Sequence, residues 1–257
     1  MLAPSFVVGA SLIARRYGVR VGGLIAALPV VAGPILLVYA AAHGRVFAAS
    51  AAAGTLLGLV SLTTFVVVYA HLAGRVSWGI SLLAGWSAFL LATALLSAVS
   101  IPPAAALAIA CLAFACALLI LPHPGHDGRP QRRPPGWDLP MRAVSALALV
   151  LALTAVAGWL GPELSGLLAP FPIIASVLAA FTHVQRGPAD VHRLLRGLVA
   201  GFGAFALFCF TLAVSLRTLG VPASFALATG VALLTQASVL SLTLRAGVED
   251  TAAARPL

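Results

Sequence analysis

Apolar runs long enough to cross a membrane follow one another along almost the whole 257-residue chain. A helix needs about 20 apolar residues to cross the hydrocarbon core of a bilayer. The runs lie at roughly 2–15, 20–42, 46–71, 77–99, 102–122, 140–160, 163–184, 190–217 and 221–245. Only 8% of the residues are charged, against about 25% in soluble domains, so the chain cannot cover a water-facing surface. The sequence therefore predicts an all-α, polytopic transmembrane bundle of about nine spans, with the lipid bilayer as its solvent.

The basic residues are distributed unevenly between the two sides of this predicted bundle. All 15 are arginine, and 13 of them fall after spans 1, 3, 5 and 7 or in the C-terminal tail. Only Arg45 and Arg217 fall on the opposite side. Because basic loops are retained in the cytoplasm, the asymmetry predicts an N-terminus outside and a C-terminus in the cytoplasm. It also accounts for the net charge of +9 without a nucleic-acid partner.

The chain contains an internal repeat, in which 18–32 align without gaps over 161–175. We call this register the repeat alignment, and we extend it without gaps in both directions along the chain. It pairs Gly23 with Gly166, Pro29 with Pro172, Ala32 with Ala175, Gly44 with Gly187, Gly54 with Gly197 and Gly58 with Gly201. The matches place span 2 over span 7 and span 3 over span 8, a shift of five spans. Since five is odd, the two copies must enter the membrane from opposite sides.

The repeat divides the chain into four parts. The first four-helix repeat covers 1–99, a linker helix with a cytoplasmic loop covers 100–139, the second repeat covers 140–246, and a cytoplasmic tail covers 247–257. Two inverted-topology repeats joined by a linker helix are typical of secondary transporters, because halves of equal shape and opposite orientation can exchange conformations.

Prolines near the middle of spans 2 and 7 are the first candidates for a substrate-binding site. Pro29 and Pro172 occupy matching positions, with Pro34 one turn after the first and Pro170 two residues before the second. A proline inside a helix removes a backbone hydrogen bond and kinks the helix. Broken helices at matching positions of two halves indicate a transport site. The alternative interpretation is a kink that serves packing alone.

Four polar residues complete the predicted substrate-binding set. Gln236 lies in the middle of span 9, and Thr93 is its mate in the repeat. His183 lies near the cytoplasmic end of span 7, where it either carries a proton or is simply hydrated. Glu163 precedes span 7 on the outer side and is the acid closest to the predicted site. Hydroxyl groups such as that of Thr93 often bond their own helix backbone, so a structural role is the alternative.

Several kinds of chemistry have no support in the residues. The sequence has no nucleophile elbow, zinc-protease helix, phosphate-binding loop or facing pair of acids. Cys111, Cys116 and Cys209 all fall inside apolar runs and have no zinc spacing. We therefore predict no catalytic residue, no metal site and no cofactor, and a protein that is not an enzyme.

The second half contains the segment Leu164-Ser-Gly-Leu-Leu-Ala-Pro-Phe-Pro-Ile-Ile-Ala-Ser-Val-Leu-Ala-Ala-Phe-Thr-His183, followed by Arg193-Leu-Leu-Arg-Gly197. These segments resemble GlpM-type proteins, a family of small bacterial inner-membrane proteins, and the resemblance covers roughly 140–246. The first half resembles a diverged copy that keeps Gly23 and Pro29 but has Leu28 in place of Phe171. The resemblance implies a location in the bacterial inner membrane and supplies no substrate.

Together these observations predict a small secondary transporter or exporter of an unidentified small solute, which binds between spans 2 and 7. The alternative is a non-transporting membrane scaffold or accessory subunit, because none of the six acidic residues lies deep in a span. The sequence leaves a homodimer open and does not name the solute.

Overall fold

A computed structural model describes residues 2–99, 101–125, 135–152 and 171–253. Ten helices and no strand make up this part of the chain. They are α1 (Leu2–Tyr17), α2 (Val19–Ala26), α3 (Ala32–His43), α4 (Arg45–Ala73), α5 (Trp78–Ser97), α6 (Pro103–Ile120), α7 (138–152), α8 (Ile173–Arg186), α9 (Pro188–Ser215) and α10 (Val221–Ala253). The prediction of an all-α protein is confirmed.

Five of the helices in the described ranges are long and apolar enough to cross a membrane. They are α4, α5, α6, α9 and the part Val221–Leu244 of α10. In lipid every backbone polar group must find its partner within the protein, and a helix satisfies its own. The chain is therefore an integral membrane protein. The predicted span 2 is not one helix, because it divides into α2 and α3 at residues 27–31.

Hydrogen bonds gather several helix ends at one end of the bundle, which we call the arginine end. Arg15 near the end of α1 binds Asp138 at the start of α7. Arg196 of α9 donates to the carbonyl of Leu121 at the end of α6. The ends of α4 and α8 meet at this end as well, where the hydroxyl oxygen of Tyr69 lies 3.4 Å from Nδ1 of His183. At the opposite end, Arg45 at the start of α4 donates to the carbonyl of Leu219 beyond α9.

The centre of the bundle is formed by α4 and α9, which pack against each other and run in opposite directions between the two ends. Both helices are largely buried, whereas α5, α6 and α10 expose most of their apolar surface. Since the inner helices have little contact with solvent or lipid, the outer helices carry the lipid-facing surface. The linker helix α6 packs against α4 and α9 alike.

The closest helix packing in the described part of the chain joins α2 to α9. A Cβ atom added at Gly23 would overlap the carbonyl oxygen of Leu194, and one added at Gly197 would overlap that of Arg20. A third glycine, Gly201, lies against the carbonyl oxygen of Leu24. The two backbones therefore touch directly. In lipid, where apolar surface gains little from association, such close contact between small residues is a main source of helix–helix stability.

Helix starts recur at positions that the repeat alignment pairs. α4 begins at Arg45 and α9 at Pro188, whereas α5 begins at Trp78 and α10 at Val221. The residues before α4 and α9 are Gly44 (φ 87°, ψ 171°) and Gly187 (φ 84°, ψ −178°). This backbone region is accessible almost only to glycine. Corresponding glycines thus make the same sharp turn into the two central helices.

The buried faces of α5 and α10 also correspond. Each helix buries one residue every four positions, which gives a narrow stripe along one side. The two stripes are Ser81, Gly85, Phe89 and Thr93 on α5, and Ser224, Ala228, Ala232 and Gln236 on α10. The repeat alignment pairs each member of the first stripe with a member of the second. The packing partners correspond as well, since α5 packs on α4 and α10 on α9.

The contact between α2 and α9 predicts unequal effects for two glycines of one helix. Gly197→Ala should destabilise the protein by about 1–3 kcal/mol, because the methyl group has to push two backbones apart. Gly203→Ala is the matched control, since nothing lies within 4 Å of a Cβ at that position. It should leave stability unchanged or raise it by about 0.5–1 kcal/mol through higher helix propensity. Unfolding midpoints in SDS and non-ionic detergent mixtures measure both, and equal values would contradict the packing described.

Candidate functional site

The break between α2 and α3 is organised by Pro29. The amide of Val30 donates to the carbonyl of Leu28 at 2.8 Å, which closes a three-residue γ-turn around the proline. The carbonyl of Pro29 then accepts the amide of Gly33 at 2.8 Å and begins α3. Proline lacks an amide hydrogen, so it cannot continue α2 and instead fixes this turn.

Pro172 makes the same turn in the second half. The amide of Ile173 donates to the carbonyl of Phe171 at 2.7 Å, and that of Ser176 donates to the carbonyl of Pro172 at 2.8 Å. With φ −75° and ψ 51°, Pro172 has the geometry of an inverse γ-turn. Both hydrogen bonds join positions that the repeat alignment pairs with those bonded around Pro29. The two prolines therefore start α3 and α8 in the same way.

The first break lies where the broken helix passes from one central helix to the other. α2 packs on α9, whereas α3 packs on α4. The negative end of the α2 dipole and the positive end of the α3 dipole both face the break. Neither Val31 nor Pro172, the residues before α3 and α8, caps its helix with a side-chain hydrogen bond. Within the described ranges, the two helix starts are thus polar positions created by backbone groups.

Gln236 contacts the first break directly. Its side chain is 4% exposed, and Nε2 donates to the carbonyl of Leu24 at 2.6 Å, in the last turn of α2. Its other amide atom, Oε1, is buried without a hydrogen-bond partner among the described residues. An unpaired buried acceptor costs about 1–3 kcal/mol. Gln236 therefore presents a strong acceptor beside the broken helix.

Thr93 occupies the position on α5 that corresponds to Gln236 on α10. Its hydroxyl is also buried and has no hydrogen-bond partner in the described ranges. One turn earlier, Phe89 contacts Phe171 edge to face, next to Pro172. Trp86, a further turn along α5, contacts the same Phe171 and donates to the hydroxyl of Ser176 at 2.9 Å. α5 is thus the helix that covers the turn at Pro172.

The remaining predicted site residues are not gathered with these. Pro34 is exposed in the first turn of α3. His183 lies at the arginine end, where its Nδ1 is 3.4 Å from the hydroxyl of Tyr69. Glu163 and Pro170 fall outside the described residues. Among the described members, the structure brings Gln236 to the break that Pro29 forms, and it places Thr93 on the stripe of α5 whose Phe89 contacts Phe171, next to Pro172.

Two cavities lie in the described part, and the larger one adjoins the turn at Pro172 through Ser176. One of about 390 Å³ lies between α5, α7 and α8 and is mostly apolar. Its lining includes three tryptophans and the serine that Trp86 binds, namely Trp78, Trp86, Trp137 and Ser176. The other, of about 20 Å³, lies at the arginine end beside Arg15, Asp138 and Arg142. None of the predicted site residues lines either cavity.

Two buried acids at the arginine end were not among the residues predicted from the sequence. Asp138 is 1% exposed and Asp190 is 6% exposed, and each binds arginines. Burial by itself would raise the pKa of Asp138, but hydrogen bonds from Arg15, Gln185 and Arg142 hold that pKa below its ordinary value. The spacing of Asp138 and Arg142, four residues apart at a helix start, was the signal available in the sequence.

The contact of Gln236 with the end of α2 predicts that a negative charge is poorly tolerated at this position. In Gln236→Glu, an ionised carboxylate has no hydrogen to donate and faces the carbonyl oxygen of Leu24 at the negative end of α2. We expect the variant to lose about 2–4 kcal/mol of stability at neutral pH, because the hydrogen bond is replaced by a buried, unpaired charge.

Gln236→Met is the control for this prediction, because it keeps a side chain of similar length at the same position and adds no charge. It also loses the hydrogen bond to Leu24, but it places no buried charge at the end of α2, so its loss of stability should be clearly smaller. Unfolding midpoints in detergent mixtures measure both variants. Equal losses would show that position 236 does not face the carbonyl of Leu24.

Comparisons with protein families, curated proteins and solved structures found no match to this chain. The resemblance of residues 140–246 to GlpM-type proteins therefore stays a prediction. What the described structure establishes is a helical integral membrane protein with buried polar side chains in its interior.

Proposed function

We propose that this protein is a secondary transporter of a small polar or anionic solute, built from two four-helix units of inverted topology that are joined by α6. The observation that carries the proposal is the pair of matching proline turns at Pro29 and Pro172. Matched broken helices in two halves are the arrangement through which inverted-repeat transporters bind their substrates.

The directions of the helices support the inverted arrangement. α4 runs from the end of the bundle that holds Arg45 to the arginine end, and α9, its counterpart, runs the opposite way. Likewise, α8 ends at the arginine end, whereas α3 ends at the turn that leads into Arg45. Counterparts that run in opposite directions are what inverted copies require. Of the nine crossings that we propose, five correspond to described helices long and apolar enough to span a membrane.

The chemistry of the break suits a solute that is recognised without ionisable protein groups. The positive dipole end of α3 attracts an anionic or electron-rich group. The Oε1 atom of Gln236, which has no partner among the described residues, accepts a hydrogen bond from a hydroxyl or amine of the same solute. Because neither Gln236 nor Pro29 lines a cavity of the described structure, the solute enters this break only when the helices around it open.

Inverted topology predicts that corresponding turns face opposite sides of the membrane. Gly74 follows α4, and Arg217, its mate in the repeat alignment, follows α9; both are exposed. In a background without Cys111, Cys116 and Cys209, we expect an impermeant thiol reagent to label Arg217→Cys in intact cells. Gly74→Cys should be labelled only after the cells are opened. Labelling of both from the same side would overturn the inverted arrangement.

Transport predicts that water reaches the breaks from each side in turn. We expect Val30→Cys, beside Pro29, to react with an impermeant thiol reagent applied to either face of sealed vesicles. Leu91→Cys is the control, since Leu91 is 63% exposed on the outer helix α5 and should stay protected by lipid. Replacing Pro29 and Pro172 together by alanine should lower the reaction from one face at least about tenfold, because a continuous helix hinders exchange between the two states.

The same vesicles separate transport from a scaffold role. Reaction of Val30→Cys from one face only, unchanged by the two proline substitutions, would contradict alternating access. It would favour the non-transporting scaffold or accessory subunit, which needs no path through the membrane.

A further inference from the structure

Among the described residues, the ion pairs at the arginine end contain more arginines than carboxylates. Arg15 binds Oδ2 of Asp138 at 2.7 Å, and Nε of Arg142 binds Oδ1 at 2.9 Å. Arg193 binds Asp190 at 2.5 Å, whereas Arg186 reaches the same carboxylate only at 3.8 Å. Four guanidinium groups thus share two carboxylates. The surplus is two positive charges within one cluster.

Local structure explains why these ions gather here. Asp138 and Asp190 lie in the first turns of α7 and α9, where the positive end of the helix dipole favours an acid. Arg15 and Arg186 lie in the last turns of α1 and α8, where the negative end favours a base. The bundle brings all four helix ends together. The four residues at helix ends carry two positive and two negative charges. The two additional positive charges are those of Arg142 and Arg193.

The surplus charge is partly withdrawn from solvent. The side chain of Arg142 is 8% exposed and lies over the ring of Phe181, with Cζ 5.0 Å from its centroid. Those of Arg186 and Arg15 are 19% and 30% exposed. Charges that lose hydration need a partner of opposite sign. The described side chains provide two carboxylates for these four arginines, and a bound anion would supply further negative charge.

A small cavity lies within this cluster. It has about 20 Å³ of space and is lined by Arg15, Asp138, Arg142, Arg186 and the hydroxyl-bearing residues Ser11 and Thr182. This volume holds about one water-sized group. A tetrahedral anion would therefore rest at the mouth, against the more exposed Arg15 and Arg186, with one oxygen atom inside.

We propose that Arg15, Arg142 and Arg186 form a binding site for a phosphate group, carried by an anionic lipid headgroup or by a free phosphate. Guanidinium groups donate paired hydrogen bonds to phosphate oxygens, which makes arginine the preferred residue for such sites. Basic pockets between membrane helices on the cytoplasmic side bind lipid headgroups in this way. The site is separate from the helix breaks and does not depend on transport.

The test measures thermal unfolding of the full chain in a non-ionic detergent at constant ionic strength. Inorganic phosphate is compared with chloride, and mixed micelles containing phosphatidylglycerol are compared with micelles containing phosphatidylcholine. We expect a rise in Tm of about 3–6 °C when the binding group is present at about ten times its Kd. A rise with phosphatidylglycerol alone identifies a lipid headgroup, and a rise with inorganic phosphate identifies the free anion.

Arg186→Gln and Arg15→Gln are the test variants, because each removes one guanidinium group and leaves the Arg142–Asp138 pair in place. Each should weaken the apparent affinity at least about tenfold, as expected for one charged hydrogen bond. Arg75→Gln is the matched control, since Arg75 is exposed at the same end and does not line the cavity. It should keep the full rise in Tm.

Two results would overturn the proposal. One is a rise in Tm no larger with phosphate or phosphatidylglycerol than with chloride or phosphatidylcholine. The other is an equal loss of affinity in Arg75→Gln and in the test variants, which would indicate general attraction to a basic surface. If one test variant does not fold, the other decides between these outcomes and the expected one.

Discussion

The direct contact of two backbones, at Gly23 of α2 and Gly197 of α9, is the interaction on which the arrangement of this bundle depends. It holds the first half of a broken helix against the central helix of the other half of the chain. The second piece, α3, packs instead on α4. Because the two pieces pack on different central helices, the break between them lies where α4 and α9 meet. Larger residues at these positions would separate α2 from α9 and move the break with them.

Breaking a helix inside a membrane protein carries a known cost, since each freed backbone group loses its partner in an environment without water. At the first break, two sets of hydrogen bonds offset that cost. One is the γ-turn at Pro29, and the other is the bond that the side-chain amide of Gln236 donates to the carbonyl of Leu24. The repair is incomplete, because one oxygen of Gln236 is left without a partner among the described residues. That unpaired acceptor is a cost to stability that remains at this break.

The two ends of the bundle differ in the polar contacts that join their helices. At the arginine end, ion pairs and arginine–carbonyl bonds tie together α1, α6, α7, α8 and α9. Among the described residues, the opposite end has a single arginine contact of this sort, between Arg45 and the carbonyl of Leu219. If the halves exchange shapes during transport, this difference sets which side opens more readily. An anion bound at Arg15, Arg142 and Arg186 would further stabilise the arginine end, whose helices are already joined by ion pairs.

The sequence by itself determined the helical class, the membrane environment and most helix starts, because these follow from local properties. The length of an apolar run fixes a span, and the turns at Gly44, Gly187 and Pro172 require residues that the sequence shows directly. Tertiary structure alone decided which polar groups meet. Gln236 reaches Leu24 from 212 positions away, and Arg15 reaches Asp138 from 123. Likewise, only packing distinguishes two glycines of α9. Gly197 contacts the backbone of Arg20, whereas nothing lies within 4 Å of a Cβ atom added at Gly203. Such contacts depend on how helices cross in space, and no local pattern of residues encodes that.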